Sequence, residues 1–364
     1  MADPRVLPNP TRARISLAAW RHNLLQLKAA SPNAKLMAVI KANAYGHGAV
    51  PAAQALDAAD AFGVARLGEG VELREAGIVK PIVLMEGVFT REELALALEW
   101  QLDLVVHAEY QIELLEQQRS AIPRVVWLKL DTGMHRLGFQ TGEAASAAAR
   151  LRALPMVSEL RVMTHFSCAD ERDSSETRAQ LQRFETERLG LGSIHAGLAN
   201  SAAVLSIPAS HREWVRAGIA LYGGSPLEGQ TAESLGLRPV MTLSTEVIAL
   251  RSIKPGDAVG YGATWRATRP SRIATLAAGY ADGIPRHVPS GTPVLVAGRR
   301  APLVGRVSMD MITVDVTDLP EVSVGSQAVI WGEGLPVDEI ASAAGTISYE
   351  LLCGVTRRVR FEYI

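Results

Sequence analysis

Lys41 stands directly behind the apolar run "LMAVI" (36–40), and the chain then breaks into "ANAYGHG", with Tyr45 four residues on. An ammonium group at the end of a buried strand either reaches water or loses its charge, and a lysine that loses its charge is a nucleophile. Other apolar runs end on related chemistry. "VVWLKLDTGMHRLGF" presents Lys129, Asp131 and Arg136, and "ELRVMTHFSCADE" presents His165 and Asp170. "LANSAA" presents Asn200 and Ser201, and "WVRAGIALYG" carries Arg216 into Gly218 and Ile219. Taken singly, a strand-end lysine is an ion-pairing or snorkelling residue; the convergence of several such ends on one mouth singles out chemistry. The small-residue turns in "ANSAA" and "RAGIALYG" offer backbone N–H groups to a phosphate. A lysine able to condense with an aldehyde, beside a phosphate cradle, suggests pyridoxal phosphate.

The elements that must position these groups follow from the apolar rhythm. Short apolar runs at 36–40, 61–65, 81–85, 102–106, 125–130, 159–164, 193–198 and 214–218 alternate with amphipathic segments such as "REELALALEWQ" and "TGEAASAAARLRAL". Near-continuous apolar strands alternating with helices imply a parallel sheet covered by helices. Eight repeats over some 200 residues predict a TIM-type (β/α)8 barrel, with an open doubly wound α/β sheet as the competing arrangement. After Leu237 the rhythm changes to β-branched runs, "TLSTEVIALRSI", "RIATLAAG", "TPVLVAG", "MITVDVTDL", "SQAVIWG" and "RRVRFEYI", separated by turn signals such as "KPGD" and "YADG". Only "PVDEIASAAG" reads as a helix there. The expected organisation is a barrel over 12–236 that binds the cofactor and a mainly β domain over 237–364, to which residues 1–17 can add a strand.

The chain has 364 residues, 48% of them hydrophobic, enough for two domains. A net charge of −1 gives no electrostatic reason to expect nucleic acid or an anionic membrane. Two cysteines, Cys168 and Cys353, argue against a disulfide framework and suit a reducing cytosol. No long apolar run suggests a membrane span, and the opening "MADPRVLPNPTRARI" lacks the apolar core of a signal peptide, so the expected location is the cytoplasm. No metal is expected.

"VIKANAYGHG" resembles the cofactor-lysine motif of alanine racemases. The likeness continues in order through "LKLDTGMHRLGF", "MTHFSCADE", "ANSAA", "VRAGIALYG", "VGYGATW", "AAGYADGIPR", "VGRVSMDMITVD" and "ISYELLCGVTRRV". It therefore draws on both the barrel and the β domain. The resemblance implies a pyridoxal-phosphate enzyme of fold type III that interconverts L- and D-alanine. It also implies a homodimer whose active site joins the barrel of one subunit to the β domain of the other.

Roles carried over by the resemblance attach to particular positions. Lys41 holds the cofactor and acts as a base on one face. Racemisation needs a second base on the opposite face, and the family's tyrosine corresponds to Tyr261, supported by His165 and Arg216. Arg216 lies at the pyridine nitrogen, where an arginine, unable to accept a proton, leaves that nitrogen neutral and makes the ring a weaker electron sink. Tyr45, Ser201, Tyr349 and the backbone of Gly218 and Ile219 belong to the phosphate cradle. Arg136 and the N–H of Met309 meet the substrate carboxylate, and Lys129 corresponds to a lysine that many relatives carry as a carbamate. Tyr280 and Tyr349 resemble an inner gate, with Asp170, Arg286, Arg306 and Ile347 further out. Asp310 reads as an orienting residue; Asn43, His47 and Asn200 read as turn or supporting residues.

Three alternatives compete with this reading. A racemase of broader specificity shares the class. A fold-type III decarboxylase of basic amino acids requires a carboxylate where Arg216 stands. A cofactor carrier built from the barrel alone has no use for Tyr261.

Overall fold

A computed structural model describes residues 10–118 and 122–364, so residues 1–9 of the N-terminal segment lie outside it. The chain divides into two compact units, one built from residues 20–221 with 225–237, the other from residues up to Ala19 with 222–224 and 238–364. The first strand, β1 (Arg12–Ile15), belongs to the second unit.

The next eight strands close into a parallel barrel: β2 (Lys35–Val39), β3 (Ala61–Val64), β4 (Ile82–Leu84), β5 (Asp103–Val106), β6 (Arg124–Lys129), β7 (Val157–Met163), β8 (His195–Gly197) and β9 (Trp214–Ala217). Each apolar run of the sequence supplies one of them. Closure is the parallel pairing of β2 with β9, which sets Met37 opposite Arg216. An open sheet is thereby excluded. The interior is filled by Met37, Ala61, Val83, Val105, Trp127, Met163 and Trp214, with the rings of Trp127 and Trp214 edge to face at 5.6 Å.

This apolar layer explains where the polar groups emerge. Side chains of a strand alternate with a period of two, so a residue two beyond a core position returns to the same face. Lys129 follows Trp127 by two, His165 follows Met163 by two, Arg216 follows Trp214 by two, and Lys41 follows Met37 by four. The four groups therefore rise from the apolar plug towards the carboxyl ends of the strands, where barrel enzymes place their chemistry.

In the second unit the strands are β10 (Met241–Ile253), β11 (Ala258–Val259), β12 (Trp265–Arg266), β13 (Ser271–Leu276), β14 (Pro293–Val296), β15 (Arg299–Pro302), β16 (Ile312–Asp315), β17 (Gln327–Trp331) and β18 (Arg360–Tyr363). The sheet runs β15-β14-β17-β10-β1-β18, with β13 joining β10 to β16 and a separate β11–β12 hairpin. β1 lies antiparallel to β10 and parallel to β18. The expectation of a single helix in this part is corrected: beside Val337–Ala344 there is a second, Ser348–Cys353, which carries Tyr349. Six residues are too few for periodicity to announce a helix; burial of Leu351 and Leu352 holds it in place. Among the described residues, no helix is long and apolar enough to cross a membrane.

Candidate active site

Lys41 follows β2, and the turn behind it is unusual. Ala42, Asn43, Ala44 and Tyr45 all have φ between 51° and 54°, the left-handed region. L-residues enter it at a cost of about 1–2 kcal/mol each, so something must hold them there. Glu69 Oε1 accepts the N–H of Ala42 at 2.6 Å, and Asn43 Oδ1 accepts that of Ala49 at 2.9 Å. His47, fully buried, donates from Nδ1 to the carbonyl of Tyr45 at 2.8 Å. Burial lowers its pKa to about 4, which keeps the ring neutral. His47 and Asn43 are thus turn residues, and Glu69 is one that sequence reasoning missed. The turn swings Tyr45 inward, where it is buried.

Tyr45 meets the chain after β9. A Cβ on Gly218 would lie 2.6 Å from Tyr45 Oη, so only glycine fits without displacing the phenol. Asn200 caps the helix Ser201–Ser206 by accepting the N–H of Ala203 (3.0 Å), and Ser201 Oγ accepts the N–H of Gly218 (2.8 Å) and that of Ala220 (3.4 Å). A helical turn opens at Ile219, and the first N–H groups of such a turn have no partner within it. Two hydroxyls beside a glycine, at a turn whose N–H groups at Gly218 and Ala220 gather on Ser201 Oγ, are of the chemistry that suits the phosphate of pyridoxal phosphate, with Lys41 as the amine for its aldehyde.

The rest of the mouth is cationic. Arg216 is only 3% exposed, and its fork donates to the carbonyls of Gly197, Thr164 and Leu198. Among the described residues it forms no ion pair with a carboxylate, and burial lowers its pKa to about 10. Lys129 is lowered to about 8, first by burial and then by Arg216, Arg136 and Lys41, against which Glu86 acts weakly. Burial, Arg216, Lys129, Arg136 and Lys41 together lower His165 to about 3, so its imidazole is neutral at physiological pH. Asp170 lies apart on an exposed loop whose carbonyl accepts the N–H of Glu228.

The remaining predicted residues belong to the β unit. Tyr261 lies in a short turn and is 68% exposed. Arg306 lies beside that turn, with its Cζ 3.6 Å from where a Cβ on Gly262 would stand. Tyr280 and Met309 are tied through backbone bonds: Tyr280 N–H donates to Ser308 and Ala281 N–H to Met309. Arg358 clamps this platform by pairing with both Asp282 and Asp310. Tyr280, Met309, Ile347 and Tyr349 all have exposed side chains, as do Arg286 and Arg306.

The fold is that of a barrel enzyme with a lysine, two hydroxyls and a cluster of cations at the strand ends. Comparisons with known proteins give the family. The family model "Alanine racemase, N-terminal domain" matches residues 15–226, and "Alanine racemase, C-terminal domain" matches residues 240–363. The alanine racemase of Thioalkalivibrio sulfidiphilus is 52% identical over 356 residues, covering 97% of this chain and 98% of that protein. The biosynthetic alanine racemase of Pseudomonas aeruginosa is 51% identical over 355 residues, covering 97% and 99%. Its crystal structure superposes with a TM-score of 0.96 over 98% of this chain and all of that one. The alanine racemase of Acinetobacter baumannii, 40% identical, superposes with a TM-score of 0.94 over 98% of this chain and all of that one. The chain belongs to the alanine racemase family, whose members are pyridoxal-phosphate-dependent isomerases.

Proposed function

We propose that this protein interconverts L- and D-alanine with two bases, Lys41 on one face of the substrate and the partner subunit's Tyr261 on the other. The observation that carries the reading is the company Lys41 keeps: a buried arginine without a carboxylate, two further cations and a neutral imidazole. Pyridoxal phosphate supplies an aldehyde for the amine and a conjugated ring that draws electrons from the substrate Cα. This chain supplies everything else. Ser201, Tyr45, Tyr349 and the backbone of Gly218 and Ile219 would hold the phosphate. Arg216, which cannot accept a proton, would leave the pyridine nitrogen neutral and so restrain decarboxylation and transamination.

Arg136 and the N–H of Met309 orient the substrate carboxylate. His165, held neutral, accepts a hydrogen bond from Tyr261 or donates one to it, and so couples the phenol to Arg216. Lys129, at about 8, keeps part of its amine neutral near physiological pH; a neutral amine adds carbon dioxide to give a carbamate, which would neutralise the surrounding cations. Tyr280 and Tyr349 form an inner gate sized for a methyl side chain, with Asp170, Arg286, Arg306 and Ile347 outside it. The exposure of Tyr261 supports a homodimer that shares its active sites. Barrel 12–236 and β domain 237–364 act as the two functional parts, with the strand Arg12–Ile15 of the N-terminal segment paired into the β domain. Two cysteines, neither in a disulfide, suit the cytoplasm. The product serves biosynthesis, a reading supported by the word biosynthetic in the name of the Pseudomonas relative, with peptidoglycan precursors as its destination, or D-alanine enters catabolism.

Visible absorption of the purified protein, followed by borohydride reduction and peptide mapping, tests the cofactor reading, with label expected at Lys41. Tyr261→Phe should keep the colour and abolish racemisation; retained full rates in both directions would falsify the two-base reading. Kinetics on a panel of L-amino acids tests the substrate, since turnover of lysine equal to that of alanine removes the preference proposed.

A further inference from the structure

The described network behind His165 contains one buried amide that the reaction scheme above leaves out. Gln180 lies on the helix Ser175–Gly190 and is fully buried. Its Oε1 accepts from the N–H of Ser167 (2.9 Å) and from the Ser167 hydroxyl (3.1 Å). Its Nε2 donates to the carbonyl of His165 (3.1 Å) and to Thr132 Oγ1 (3.4 Å). The orientation of the amide is determined, because a flipped group would set its oxygen against a carbonyl and its NH2 against an N–H. The chain of bonds continues. Thr164 Oγ1 spends its proton on the carbonyl of Leu130 (2.9 Å), so Thr132 donates to Thr164 (2.8 Å). The carbonyl of Thr164 in turn accepts from Arg216. One side chain thus fastens the ends of β6 and β7 together, and the carbonyl it holds is that of His165 itself.

We infer that Gln180 is a positioning residue for racemisation, setting the His165 backbone so that the imidazole stands between Arg216 and the base opposite Lys41. The inference rests on the roles proposed above for His165 and Tyr261. A fully satisfied buried amide tolerates no loose geometry, since each group it releases is left dry. Displacing a supporting group by about 1 Å costs on the order of a hundredfold in rate.

Gln180→Met and Gln180→Glu test it in the full-length enzyme loaded with pyridoxal phosphate. Both preserve side-chain size; the first removes all four bonds, and the second keeps acceptors for Ser167 but loses the donors to His165 and Thr132. The expected result is an unchanged visible spectrum and a kcat reduced on the order of tenfold to a hundredfold, with KM for alanine within about twofold. The primary isotope effect with Cα-deuterated alanine should rise for one enantiomer only, because His165 serves only one of the two bases. A general loosening would lower both rates without separating the enantiomers, and that result, or an unchanged kcat, overturns the inference. Should both variants fail to fold, Ser167→Ala removes one bond from Gln180 and should separate the enantiomers in the same sense; equal isotope effects there also overturn it. Tyr261→Phe, run alongside, distinguishes the failures. If it is fully active, the two-base reading falls; if it is inactive while the Gln180 variants behave as wild type, only the role of Gln180 falls.

Discussion

The phenol of Tyr45 occupies the space in which a side chain on Gly218 would begin, with 2.6 Å between Oη and an added Cβ. Two residues far apart in sequence, one behind β2 and one behind β9, thereby define a single cleft. Gly218→Ala must push Tyr45 aside at a cost of roughly 1–3 kcal/mol, the range for overpacking a filled site. Its expected signature is weaker retention of pyridoxal phosphate, seen as faster loss of visible absorbance on dialysis, with the far-ultraviolet circular dichroism unchanged.

Arg216 serves structure as well as chemistry. Its planar fork satisfies three carbonyls at once, and an ammonium on a flexible stem does not reproduce that geometry. Arg216→Lys should lower stability by about 1–3 kcal/mol for each acceptor left without a donor. The fall in the urea midpoint measures it, and a wild-type midpoint would contradict the geometry.

Acid should weaken the barrel unit through His47. Its folded pKa, about 4, lies below its ordinary 6.5, so the unfolded chain binds the proton first. Stability is complete above pH 6.5 and declines as the pH falls towards 4, by about 2 kcal/mol at pH 5. His47→Asn keeps an N–H donor without a titration and should lessen the acid decline of urea midpoints between pH 7 and 5 without abolishing it, because His165, lowered to about 3, contributes a decline of the same sign. Asp103 runs in the opposite sense. Burial raises its carboxyl to about 6, against the Val125 N–H and the guanidinium groups of Arg161, Arg124 and Arg74. A raised carboxyl pKa lowers stability as pH increases from about 4 to 6, so Asp103→Asn should gain on the wild type over that interval.

The left-handed turn gives a prediction that depends on backbone alone. Ala42 is exposed at φ 53°. Ala42→Gly should be neutral or stabilising by up to about 1 kcal/mol, whereas Ala42→Val should cost more than about 1 kcal/mol. Ala148, buried in the helix Ala144–Arg152, provides the contrast. There a glycine should cost about 1 kcal/mol from propensity alone. Thermal unfolding of the three variants reads the difference, and a clear loss for Ala42→Gly would contradict the turn.

Local pattern sufficed for the barrel because most of its strands are short apolar runs buried along their length, and that character does not depend on their neighbours. Position in sequence also placed Lys41, Lys129, His165 and Arg216 at strand ends, each two to four residues beyond a core residue of its own strand. Tertiary structure alone decided the rest. Nothing in "KANAY" announces four left-handed residues, since the bonds that hold them come from Glu69 and His47. Gln180 looks like any polar residue of an amphipathic helix until two loops close over it. The clash between Gly218 and Tyr45 exists only once the first and last barrel strands meet. Strand character is local and written in the chain; distances between strand ends arise from closure, which no single segment contains.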